Sequence, residues 1–144
     1  MKKTVILGLA VCLIVGLTAC KKDEYAALGK YAEVGPVMDT MIKATEAYIA
    51  DLDKSTTADQ IAAAMDVITE KMTALAPKMK AIGEKFPEFK SQENPPAELK
   101  PFNDRLEAMM GKMMGVISKI APFASDPKVM AAQERYNKAM GDMR

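Results

Sequence analysis

The side chains best equipped for chemistry in this chain are soft ones. There are 13 methionines and two cysteines, and no histidine at all. Histidine is the usual general base near neutral pH and the commonest metal ligand. Its absence removes Ser-His-Asp hydrolysis, imidazole-based zinc sites and His-ligated haem. Carboxylates remain, but Asp51 and Asp53, like Asp104 and Glu107, have the spacing of solvated helix faces. We expect no catalytic residues, and so no enzyme. The one methionine cluster is Met109-Met110-Gly111-Lys112-Met113-Met114. Met110 and Met114, one helical turn apart, form a thioether pair of the kind that suits Cu(I), a soft ion that favours sulfur. Most other methionines fall at core spacing, where flexible thioethers fill irregular gaps.

The two cysteines lie at the start of the chain. Met1-Lys2-Lys3 precedes an apolar run from Val5 to Leu17, followed by Thr18-Ala19-Cys20. A basic start, about 7–15 apolar residues and a small-residue boundary make an export signal. The run is shorter than the ~20 residues of a spanning helix. Leu17-Thr18-Ala19-Cys20 resembles the lipobox of bacterial lipoproteins. That resemblance implies cleavage of the signal peptide 1–19 and acylation of Cys20, which anchors the chain to a lipid bilayer. Stable anchoring takes more than one chain, since a single one binds only marginally. Lys21 follows the cysteine, a sorting pattern similar to that of outer-membrane lipoproteins facing the periplasm. Cys12 leaves with the signal and Cys20 becomes a thioether. Thiol catalysis, thiolate metal sites and disulfides then drop out of the mature chain. Lys plus Arg total 20 and Asp plus Glu 19; removing Lys2 and Lys3 leaves 18 against 19, a net charge of −1. The charges are interspersed, so no nucleic-acid partner is expected.

The elements that position these residues read as helices, with no alternation typical of strands. Residues 20–35 form a tether or a helical extension, with Leu28 and Tyr31 as its apolar members. A bundle follows over 36–144, with helices at about 36–53, 57–86, 97–121 and 126–142. The first has Met38, Met41, Ile42, Tyr48, Ile49 and Leu52 on one face. The second starts at a capping box, Thr57 with Gln60, and carries an unbroken 4-3-4-3 stripe from Ile61 to Phe86. Pro77 lies inside it and predicts a kink. Prolines 87, 95, 96 and 101 mark a long connection. The third helix carries Leu99, Phe102, Leu106, Met109, Met113, Val116 and Ile120. Asp126 caps the fourth, whose face is Val129, Gln133, Tyr136, Met140 and Met143. Ala108, Gly111 and Gly115 make a small-residue stripe, which predicts close approach of another helix. The expected fold is all-α, an antiparallel up-down-up-down four-helix bundle.

Early Met38, the capped turn, the proline-rich loop and Arg135-Tyr136-Asn137 give this layout a resemblance to the periplasmic cytochrome b-562 type of four-helix bundle. The resemblance implies Met38 as a haem ligand. It places Asn137, a poor ligand, where the family has its histidine, so it supports the bundle and undermines the cofactor. The resulting expectation is a membrane-anchored, periplasm-facing lipoprotein with a non-enzymatic structural or binding role. Its partners would be an envelope protein or a second copy of itself. The alternative is a Met-based Cu(I) or haem-type carrier.

Overall fold

The computed structural model describes residues 25–90 and 96–141, and among them every regular element is helical. Four α-helices dominate: α1 (Val34–Lys54), α2 (Ala58–Lys85), α3 (Lys100–Ile120) and α4 (Pro127–Gly141). Among the described residues, no helix is long and apolar enough to cross a membrane.

Local chemistry accounts for the boundaries. Pro36 sits in the first turn of α1, where its missing N–H costs nothing. At α2, Thr57 Oγ1 accepts from the Gln60 N–H at 3.3 Å. Gln60 Oε1 reaches back to the Thr56 N–H at 2.8 Å, one residue earlier than a strict capping box. α2 continues through Pro77, which is exposed. At α4, Asp126 Oδ1 accepts from the Lys128 N–H at 2.9 Å. Its buried face is Val129 and Ala132, and Gln133 is exposed. Met143 lies outside the described residues.

The neighbour order differs from the one the short connections suggest. α1 packs on α2 and on α3, and α2 packs on α4. α1 and α2 are antiparallel, with Glu33 at the start of one paired to Lys85 at the end of the other. Ion pairs from α1 to α3 join Asp39 to Arg105 (3.1 Å) and Asp53 to Lys119. Those from α2 to α4 join Asp59 to Lys128 and Asp66 to Arg135 (2.8 Å). In both pairs the numbers rise together, so the two helices run in the same sense. Two neighbouring pairs are therefore parallel, where antiparallel packing was expected.

The end at which α1 begins is held by aromatic packing. Residues 25–35 are no free tether. Ala26–Tyr31 is a 3-10 segment that buries Leu28 and Tyr31, with Gly29 at φ 55° breaking its regularity. Tyr31 packs on Phe86 at 5.3 Å and on Phe89 at 5.4 Å between ring centroids. Tyr25 stacks on Phe102 at 6.4 Å. Between these rings and the opposite turn the core is aliphatic and thioether, and Ile42, Leu52 and Ile61 are its largest fully buried side chains. Among the described residues no polar or charged side chain is buried.

Candidate binding site

Two concavities bear on binding. The first is an end pocket of about 380 Å³ beside the aromatic cluster. α1 contributes Val34, Val37, Met38 and Met41; α2 contributes Met79, Ile82 and Gly83. The connection closes it with Phe89, Pro96 and Leu99. The stripe positions Met79 and Ile82 are half-buried and line this space. The polar groups in its lining are Glu88 and Asn103. Glu88 Oε1 accepts from Lys30 Nζ at 2.9 Å and from the Tyr31 hydroxyl at 3.0 Å. A hydrogen bond from its own backbone, then Lys30 and the Tyr31 hydroxyl, hold the Glu88 carboxyl below the usual range. It is therefore a carboxylate at neutral pH.

The second is a groove of about 1100 Å³ between α3 and α4, which do not pack against each other along their length. Tyr48, Leu52 and Met65 form its floor. Met113, Ile117 and Ile120 stand on the α3 wall, and Val129, Met130 and Tyr136 on the α4 wall. Ile117 is 47% exposed and Met130 58%. Gln133, Glu134 and Asn137 add polar groups to the lining, with the Gln133 amide donating to Asn137 Oδ1 at 3.0 Å. Burial, followed by the nearby Tyr136, pushes the Tyr48 phenol up to about 12. The groove lies toward the 121–126 turn, the end of the molecule opposite Tyr25.

The residues singled out by sequence fall in separate places. Cys20 lies outside the described residues. Met38 lines the end pocket and Asn137 the groove, so the two ligand positions of the cytochrome resemblance do not face each other across a haem site. Met110 and Met114 are 70% and 68% exposed on α3 and contribute to neither concavity. A Cβ at Gly111 or Gly115 would meet nothing within 4 Å, so the expected close helix approach is not made there. Close approach occurs instead at Gly35, where a Cβ would lie 2.3 Å from Tyr25 Cδ1. Sequence reasoning placed Met38, Met41 and Met79 in the core. The structure brings all three thioethers into the lining of one pocket, two from α1 and one from α2. The signal was present in the matching stripes of α1 and α2, but periodicity does not show whether the space between two stripes is filled.

Around α1, Asp39 bridges Lys43 (2.6 Å) and Arg105 (3.1 Å). Burial alone would raise its carboxyl, but the hydrogen bonds and charges of Lys43 and Arg105 together hold it below the ordinary value. This cluster serves to pin α3 to α1. No family model, curated protein or solved structure matches the chain.

Proposed function

We propose that this chain is a lipid-anchored envelope protein, tethered through acylated Cys20 to the outer membrane and facing the periplasm. In this reading its helices form an up-down-up-down four-helix bundle left open along one seam. The role is binding, not catalysis. The partner is an amphipathic helix of another envelope protein, laid into the α3–α4 groove.

The observation that supports this reading is the unfinished seam. Two helices stand apart over an apolar floor and carry exposed Ile117 and Met130 on its walls. Helix-in-groove recognition uses such a geometry. α4 spans 15 residues, so this wall is roughly 22 Å long at 1.5 Å per residue, enough for about four turns of a partner helix. The groove also lies at the end away from Tyr25, which keeps it clear of the anchored end.

The test has two parts. Intact mass of the protein taken from native membranes should show loss of residues 1–19 and an acylated cysteine. A photo-crosslinking residue at Met130 should trap a defined partner in those membranes, and the same residue at Lys43 should not. Trapping of a second copy would replace the heterologous partner with self-association. Equal trapping at both positions, or none, removes the docking role.

A further inference from the structure

We propose that the end pocket takes a neutral aliphatic chain, of the kind carried by membrane lipids. Its volume of about 380 Å³ falls within the roughly 300–1,000 Å³ of small-molecule sites. A single cation held by the three thioethers would leave most of that space unfilled. The walls are aliphatic, aromatic and thioether, and Met38, Met41 and Met79 are flexible enough to follow a chain that has no fixed shape.

Charge selects the head group. Among the described residues the lining holds no cation, and its ionised group, Glu88, is already paired with Lys30, so no positive charge in the lining holds an anionic head. Asn103 offers both a donor and an acceptor to an ester, amide or hydroxyl. A neutral head fits both residues and a free fatty-acid anion does not.

Position supplies the source. The pocket lies at the end of α1 against which Leu28 and Tyr25 pack. Cys20 is five residues before Tyr25, a reach of at most about 17 Å for extended chain. If Cys20 is anchored as proposed above, Tyr25 stands within that reach of the bilayer surface, at the same end of the molecule as the pocket. The chain then comes from a bilayer lipid or from the protein's own anchor.

Gly83 provides the plug. It lines the pocket, and a Cβ there would meet nothing within 4 Å. Gly83→Leu therefore adds bulk at the pocket wall with no clash at Cβ, and its melting temperature checks that the fold is kept. The full chain is reconstituted in phosphatidylethanolamine vesicles with a trace of a long-chain alcohol bearing a mid-chain diazirine, irradiated and mapped by peptide mass. The expected adducts lie on the peptides containing Met38–Met41 and Met79–Ile82, at least fivefold weaker in Gly83→Leu. Equal labelling of wild type and Cys20→Ala assigns the site to a bilayer lipid. Labelling that rises several-fold in Cys20→Ala assigns it to the chain's own anchor. Absence of these adducts from both chains, or adducts that persist in Gly83→Leu, overturns the pocket. A diazirine fatty acid that labels as strongly as the alcohol overturns the neutral head group. An unmodified Cys20 by intact mass overturns the anchor and not the pocket.

Discussion

Replacing Gly35 with alanine should destabilise the protein, although alanine is the better helix former. Gly35 lies in the first turn of α1. A Cβ there would sit 2.3 Å from Tyr25 Cδ1, 2.7 Å from Tyr25 Cγ and 2.8 Å from Leu28 Cδ1. The ring has little room to retreat, being 8% exposed and stacked on Phe102. Forcing a methyl into packed space costs about 1–3 kcal/mol. Displacing the ring forfeits its aromatic pairing, a further ~0.5–1.5 kcal/mol. Helix propensity returns at most ~1 kcal/mol. The net loss is about 2 kcal/mol, which lowers the melting temperature by roughly 8 °C at ~4 °C per kcal/mol. Gly111→Ala and Gly115→Ala should do the reverse. Each new methyl points into open space, so each gains up to ~1 kcal/mol. Thermal unfolding followed by circular dichroism reads all three. Adding Tyr25→Ala to Gly35→Ala should cost less than the sum of the single changes, because the clash is then gone. A Gly35→Ala protein as stable as wild type, or strict additivity with Tyr25→Ala, would refute the packing of the 25–35 segment on α1.

Three further outcomes follow from the same coordinates. Asp39→Asn should cost about 1 kcal/mol at neutral pH, as expected for a partly buried charge pair. The Asp39 carboxyl is held below its unfolded value of ~3.9, so its contribution is complete above about pH 4 and fades as pH falls further. Urea unfolding at pH 7 and pH 3 should show the gap between wild type and Asp39→Asn narrowing in acid. Tyr48, with its phenol raised from 10 to about 12, favours the neutral form in the fold. Its contribution is complete below pH 10 and is lost between pH 10 and about 12, so Tyr48→Phe should lose stability less steeply across that interval. Mild peroxide should oxidise Met110, Met114 and Met130 well before Met65, Met72 and Met109, which are buried. Peptide mass spectrometry as a function of exposure time reads the order, and uniform oxidation would contradict the assigned faces.

Much of the helical layout was legible in the residues, because spacing fixes which face of a helix turns inward. Ile61, Met65, Ile68, Met72 and Leu75 repeat at fours and threes, and all five are buried in α2. The turn chemistry of Thr57 and Asp126 was equally plain. Spacing does not say which helix a face meets, so the parallel α1–α3 and α2–α4 pairs were not legible. One trace of them exists in α3, whose buried side chains are Phe102, Met109 and Val116, seven apart. So narrow a stripe fits a helix with a single full neighbour. Glycine misled for a related reason. Gly111 and Gly115 share a stripe but meet no neighbour. The residue of close contact is instead Gly35, at the edge of the 20–35 segment. The end pocket was hidden because a cavity wall and a packed wall present the same apolar stripe. Cys20, the proposed anchoring residue, lies outside the described residues, so the lipobox resemblance alone bears on it.

The open seam follows from the neighbour order. α3 packs along α1, and the end where α1 begins is covered by rings: Phe86 and Phe89 on Tyr31, Phe102 on Tyr25. The chain then turns within 121–126 and returns as α4 beside α2. α1 and α2 become the shared middle, and α3 and α4 the outer walls, each packed along its length on one helix. A wall helix buries little. α4 encloses only Val129 and Ala132 among its described residues, and its ion pairs to α2, Asp59–Lys128 and Asp66–Arg135, are exposed. Exposed pairs are worth at most about 1 kcal/mol each, so apolar contact along a narrow stripe carries most of the α2–α4 attachment. An apolar surface laid into the groove would touch both walls and the floor at once. It would add burial where the fold has least, so occupation of the groove and stabilisation of α4 are the same event.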